Sequence, residues 1–418
     1  MRIITLKEDE FNNFAKKHKY ESFCQTSNYA NFKAQQENYD IHYLGFEDNN
    51  NLVGATMVIY KNLFWGYKYA YAPRGFLIDY TDTYLVNAVT QALKRLLYQQ
   101  KFIFFKIDPP IIVSERDFNG NYIYQSETVN DILNTLQKND YEHLGFNLYN
   151  ESILTRFNVF AKLFPNAKTM YNSFDKDIRD NISFANKRAI KVFEDTTGDI
   201  DKFYDYIKKS YGRKGKRYFV NIYNHFSKTG DIKIFYAEID TNAYAKNTNN
   251  LYNIELEKNE GLVKIIESGD SKYDIDRVIN DKIESDKTLS IYKKDIITST
   301  DMLRKYPDGI LVGVSLVVTQ KKGANILLNY ESPEFKNFNV NEMMTFELMK
   351  YYANKDYKFI NLGSVPGNFD PKSKYYNTLI SKKGFNSSVI EYIGEFDLII
   401  NPMMYKVYKN KSKKKKLI

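Results

Sequence analysis

TDTYLVNAVTQALKRLLYQQ-K-FIFFKID, residues 81–108, is the stretch from which the fold is read. Leu85, Val89, Leu93 and Leu96 recur at helical spacing, so 81–100 is predicted as a helix with Thr81 or Thr83 as its cap. One lysine later FIFFKID (102–108) is an apolar run of strand length. Upstream lie three more strand-like runs, HYLGFED (42–48), LVGATMVIY (52–60) and WGYKYAYAP (65–73), with a turn at residues 49–50. They follow an N-terminal strand and helix and a helical segment from Ser22 to Lys33. The second half repeats this order. DIKIFYAEID (231–240), ILVGVSLVVT (310–319) and ANILLNYE (324–331) read as strands. NVNEMMTFELMKYYANK (339–355) reads as a helix, with Met344, Leu348 and Tyr351 or Tyr352 on one face, and YKFINLG (357–363) as the closing strand. Strand, strand, strand, helix, strand, twice over, implies two copies of one α/β (α+β) fold.

Residues 241–297 interrupt the second copy. Leu251, Ile254, Leu262, Ile265 and Ile266, then Ile275, Ile279, Ile283 and Leu289, form two helical stripes in otherwise charged sequence, with Gly269 between them. An antiparallel helical hairpin is expected, the alternative being a disordered insertion. The expected division is a first domain over 1–165, a second over 166–396 carrying the arm at about 241–297, and a basic tail over 397–418. Within the tail, YKVYKNKSKKKKLI (405–418) holds seven lysines and is expected to be disordered at its end. It is either a solubilising terminus or a contact for RNA phosphates or anionic lipid.

Composition narrows the chemistry. Of 418 residues 43% are hydrophobic, which suits a globular chain of two or three domains, and the formal charge of +9 favours an anionic partner. A single cysteine, Cys24, excludes an internal disulfide framework, and it reads as a small buried hydrophobe. His18, His42, His143 and His225 show no metal-ligand spacing, and no GxSxG elbow is present. No leader-like or membrane-spanning apolar run is visible, so a cytoplasmic protein is expected. One residue is out of place: in FFKIDPPI (104–111), Asp108 stands where an apolar strand meets two prolines. It is catalytic, it binds a ligand, or it caps the turn.

Several stretches then point to a family. QTSNYANFK (25–33), APRGFLIDY (72–80), FKIDPPI (105–111), IRDNISFANKRAIKV (178–192), GRKGKRYF (212–219), NLGSVPGNFDP (361–371) and KKGFNSSVIEYIGEFDLIINPMMYKVY (382–408) resemble the FemABX family, and within it the FemA and MurM type. The resemblance covers essentially the whole chain. It implies two GNAT-like domains in tandem, the second interrupted by a helical coiled-coil arm thought to help hold tRNA. It also implies transfer of an amino acid from aminoacyl-tRNA to a stem-peptide amino group of a peptidoglycan precursor, lipid II or UDP-MurNAc-pentapeptide, with no cofactor and no metal. Peripheral contact with the inner membrane face through the basic tail would accompany it.

By the same resemblance Lys33 matches a lysine that holds the nucleotide-sugar precursor, and Arg213 the arginine beside it, with Arg217 near enough to replace it. Lys382 matches a lysine near the reaction centre, with Lys383 sharing its role, and Asp108 matches an aspartate for which a base role has been considered, a positioning role being the alternative. For Lys33 and Arg213 the plain alternative is a solvated surface charge, and for Asp108 a turn-fixing carboxylate. Aminolysis of an activated ester needs positioning, oxyanion stabilisation and removal of a proton, since a lysine-like amine of pKa near 10.4 is neutral only about once in a thousand at pH 7. Two rivals remain. An acyl-CoA N-acetyltransferase would carry a Q/R-x-x-G-x-G/A loop, which is missing. A non-catalytic RNA- or membrane-binding member would bind without transferring.

Overall fold

The structure, a computed structural model, describes residues 1–149, 151–212, 215–269 and 272–415, with side chains as far as Lys411. Along the chain run β1 (Arg2–Thr5), α1 (Glu8–Ala15), α2 (Ser27–Glu37), β2 (Asp40–Asp48), β3 (Asn51–Asn62), β4 (Lys68–Ala72), α3 (Thr83–Gln99) and β5 (Phe102–Ile107). Next come β6 (Ile112–Arg116), β7 (Tyr122–Gln125), α4 (Val129–Lys138), β8 (Tyr141–His143), β9 (Phe157–Lys162), α5 (Ala167–Asn172), α6 (Lys176–Lys187), β10 (Ile190–Glu194), α7 (Ile200–Tyr211) and α8 (Gly215–Ser227). The second copy follows with β11 (Ile232–Ile239), α9 (Thr241–Ser268), α10 (Ile275–Lys305), β12 (Ile310–Gln320), β13 (Gly323–Glu331), α11 (Val340–Ala353) and β14 (Phe359–Ser364). The chain closes with α12 (Tyr376–Ile380), β15 (Ser387–Tyr392), β16 (Phe396–Ile399) and α13 (Pro402–Lys415).

Among the described residues these strands form a seven-stranded sheet, β1-β2-β3-β4-β5-β16-β8, and a nine-stranded one, β10-β11-β12-β13-β14-β9-β15-β6-β7. In each, three antiparallel strands lead through a helix to a strand that pairs in parallel, β4 with β5 and β13 with β14. The tandem α/β repeat read from the sequence is therefore present, with the helical arm between β11 and β12. β5 is buried at every residue because α3 covers one face, through Leu85, Val89 and Leu93, and α13 the other. Pro109 and Pro110 cannot continue its ladder, and β6 joins the second sheet instead. β16 returns late in the chain to pair with β5, and the chain crosses between the sheets four times, at β5–β6, β7–β8, β8–β9 and β15–β16.

Details differ from the sequence reading. α3 is capped by Asp82, whose Oδ1 accepts from Leu85 N at 2.9 Å, rather than by Thr81 or Thr83, and Leu97 instead of Leu96 completes its buried stripe. α2 starts at Ser27 because Thr26 Oγ1 takes the Tyr29 N–H at 3.2 Å, ending the segment that began at Ser22. The arm runs on to Lys305, and Ile254, Ile279 and Ile283 are exposed. Its seam buries Thr248, Asn259, Val278, Ser285 and Ser299, and Asn259 Nδ2 donates to Asp286 Oδ1 at 2.9 Å. Small and polar seam residues let the helices approach closely, which is why apolar periodicity misplaced the contact face. The tail is helical as far as Lys415, because Met404 and Tyr405 bury against Ile103 and Phe104; residues 416–418 lie outside those described.

Candidate active site

The two parallel pairs are not alike. β4 stays paired with β5 to its last residue, Ala72 opposite Ile107. β13 pairs with β14 only from Gly323–Phe359 to Asn325–Asn361, after which the strands part. Lys382, from the turn after α12, fills this fork and donates from Nζ to Leu362 O. Gly363 makes room for it: at φ +101 a Cβ there would stand 2.8 Å from Lys382 Nζ. Burial lowers the Lys382 ammonium to a pKa of about 8.

On one side of the fork lies a cavity of about 640 Å³ between the two sheets. α2 supplies Tyr29, Phe32 and Lys33, which share a face at helical spacing, and α8 supplies Tyr218. Lys33 is largely covered and ion-paired with Glu37, one turn on. The floor is a row of amides on neighbouring strands: Asn361 Nδ2 lies 3.3 Å from Asn325 Oδ1 and 3.5 Å from Asn158 Oδ1. Asn361 Oδ1 accepts from Gly363 N at 2.8 Å, and Asn325 Nδ2 is buried without a hydrogen-bond partner. Cys24 also lines the cavity, where burial pushes its thiol up to about 12, so it is no nucleophile at neutral pH.

Arg74 completes the lining. Gln25, wholly buried, accepts from Met57 N at 2.9 Å and donates to Pro73 O at 2.8 Å, fixing the loop that carries Arg74. The guanidinium lies over the Tyr392 ring at 4.7 Å and donates from Nη2 to Thr155 O at 2.8 Å. Behind it sits Asp108. Its Oδ1 accepts from Arg74 N at 2.7 Å, and its Oδ2, 3.8 Å from Arg74 Nη1, has no hydrogen-bond partner. Burial pushes this carboxyl up to about 7, against the pull of the Arg74 guanidinium and N–H. Burial opposes the Arg74 charge as well, but Asp108 holds its pKa above the ordinary value.

Across the fork is a second chamber of about 330 Å³, sharing Ile326, Asn329, Leu362 and Lys382 with the first. It also presents Glu331, Glu342, Lys336 and Asn341. One Glu331 oxygen is buried without a partner, and burial, reinforced by Glu342, raises its pKa. Lys382 is thus the ionisable group common to both chambers.

Of the residues expected from sequence, Lys33 and Lys382 line the larger cavity, and Asp108 stands one layer behind it. Arg217 is exposed on α8 and donates to Gln35 O at 2.7 Å, away from either lining. Lys383 is exposed on the turn beside Lys382. Arg213 lies outside the described residues. Sequence reasoning passed over Arg74 and the asparagine row. Arg74 was visible in APRGFLIDY as a cation between a strand end and a glycine, whereas three asparagines distant in sequence carry no shared signal.

A family model described as the FemAB family matches residues 6–413. The lipid II:glycine glycyltransferase of Staphylococcus haemolyticus (strain JCSC1435) is 24% identical over 416 residues, spanning 97% of this chain and 95% of the relative. That of Staphylococcus aureus (strain USA300) is 24% identical over 421 residues, with the same two coverages. The crystal structure of FemX matches with a TM-score of 0.75 at 22% identity, over 97% of this chain and 99% of that one, which shows a shared fold.

Proposed function

Because the chain belongs to the FemAB family, we propose that it is an aminoacyltransferase that moves an amino acid from aminoacyl-tRNA to the stem-peptide amino group of a lipid-linked peptidoglycan precursor. The names of its staphylococcal relatives support the lipid-linked acceptor over the UDP-linked one. One observation carries the reading: a half-buried lysine fills the fork between two chambers, so two substrates can meet at one ammonium.

The larger cavity suits the acceptor. Lys33, Arg74 and Lys382 line it against a single carboxylate, Glu21, as an anionic ligand requires. Arg74, held from behind by Asp108, offers a planar fork to a phosphate oxygen. The unpartnered Asn325 amide is a donor for a peptide carbonyl. The smaller chamber suits the donor, whose α-ammonium would face Glu331 and Glu342 while its ester carbonyl reaches Lys382.

The acceptor amine, once it has lost a proton to solvent, attacks the ester carbon, and a C–N bond forms. Lys382, still largely protonated at pH 7, donates to the oxyanion. Collapse breaks the C–O bond to the ribose, whose oxygen takes the proton that the attacking nitrogen gives up. Asp108 acts through Arg74, because the guanidinium and not the carboxylate lines the cavity. The test is to incubate purified protein with a mixture of charged tRNAs and either lipid-linked or UDP-linked muropeptide. Extension of the lipid-linked acceptor by one residue is expected; no extension of either would refute the proposal.

A further inference from the structure

The β3–β4 hairpin ends in a tip its own folding does not explain. Tyr67 N donates to Phe64 O at 3.0 Å, and the two central residues have φ +54 (Trp65) and +74 (Gly66). That is the pattern of a type I′ turn, where the first central position favours asparagine, aspartate or glycine. A bulky side chain at positive φ is disfavoured there, yet the position holds the chain's only tryptophan, 70% exposed. α13 ends against the same tip: Lys411 Nζ lies 3.9 Å from the Phe64 ring centroid and 4.4 Å from that of Trp65. The same helix exposes Met403 and Lys406, and its sequence continues with lysines at 413–416.

We propose that the Trp65 hairpin tip and helix α13 form a docking surface for an anionic lipid bilayer. An exposed tryptophan beside a lysine-rich helix has the chemistry of a membrane interface, the ring at headgroup depth and the ammonium groups on lipid phosphates. The cations favour lipid over RNA. Neither 60–73 nor 395–418 contains an arginine, the residue suited to forked nucleic-acid contacts, and the exposed Met403 thioether offers nothing to a phosphate backbone. Packed rings also link the surface to the cavity. Lys33 of the lining sits over the Tyr39 ring at 5.7 Å, Tyr39 OH is 2.6 Å from Tyr69 OH, and Tyr69 stacks on Phe104 at 5.5 Å. Phe104 in turn packs on Tyr408 of α13 at 4.8 Å. The Lys33 edge of the cavity thus connects to the docking surface, and an acceptor could be extended while its lipid stays in the bilayer. The inference deepens the proposed function and rests on its lipid-linked acceptor.

The lone tryptophan is its own reporter. The full chain is titrated with phosphatidylglycerol vesicles and, separately, phosphatidylcholine vesicles, following Trp65 emission. A blue shift, with quenching by bromine-labelled acyl chains, is expected for phosphatidylglycerol only. In flotation, Lys406→Ala and Lys411→Ala should each weaken vesicle binding about fivefold, and Trp65→Ser about tenfold. No shift with phosphatidylglycerol, an equal shift with phosphatidylcholine, or the same shift from added tRNA or from raising the protein concentration without vesicles would overturn the proposal. With no bilayer present, Trp65→Ser should still extend the lipid-linked acceptor dispersed in detergent at the wild-type rate. Loss of transfer by the wild-type chain would count against the proposed function, while the vesicle result would stand on its own.

Discussion

At the residue scale, Asp108 is a carboxylate in contact with Arg74, and the proposed function gives it the task of holding that arginine. A general base would lose about a hundredfold or more on amidation. Asp108→Asn keeps an oxygen for the Arg74 N–H, so kcat/KM is expected to stay within about tenfold of wild type with an unchanged pH–rate profile. Arg74→Ala should raise KM for the acceptor about thirtyfold, a charged hydrogen bond being worth about 2 kcal/mol. Stability adds a second check. The folded pKa of Asp108, about 7, lies above the ordinary carboxylate value of 3.8. Its favourable term is therefore fully present below about pH 4 and is lost as pH rises through about 7. The urea midpoint should lose less between pH 4.5 and 7.5 in Asp108→Asn than in the wild-type chain. The sequence showed an acid in an odd place, and the resemblance suggested a base. Neither could show that Arg74 stands between that acid and the cavity, because the two meet only where β4 and β5 end side by side.

At the element scale, most strands and helices were legible because their apolar periods are clean, as in α3 and β5. The arm was legible as two helices but not in its seam, where threonine, asparagine and serine are buried while Ile254, Ile279 and Ile283 are exposed. α9 and α10 carry as many acidic as basic residues, so the arm has no electrostatic bias towards RNA. Any RNA contact it makes should be weakly salt-dependent. Its base is closed by Thr241 Oγ1 donating to Tyr306 O at 2.6 Å, and the helices pack mainly on each other. Replacing residues 252–290 with a short loop should leave the thermal midpoint within a few degrees. It should also leave unchanged the slope of tRNA affinity against salt, measured by filter binding over a salt series.

At the scale of the whole molecule, the repeat was readable from element order, but the asymmetry between its copies was not. The parallel pair of the first copy is sealed, and that of the second is opened by a lysine arriving from a turn beyond the repeat. Long-range ties hold the fork's surroundings in place. Arg156, fully buried, donates to Tyr392 O, Asn147 O and Glu391 Oε1 at 2.9, 2.9 and 2.7 Å. Arg156→Met leaves Glu391 with Arg116 as its remaining ion-pair partner among the described residues and should destabilise by about 3 kcal/mol, read as a lower urea midpoint. The central claim is that the Lys382 ammonium in the fork stabilises the reaction's oxyanion. It is tested most directly by the pH dependence of single-turnover transfer in wild type and in Lys382→Arg. Wild type should speed up to about pH 8 and then level off, because above it Lys382 loses its proton as fast as an acceptor amine of pKa near 10.4 loses its own. Lys382→Arg should be slower at pH 7 but should go on speeding up above pH 8, since arginine keeps its charge. A levelling-off at pH 8 that persists in Lys382→Arg would contradict the account.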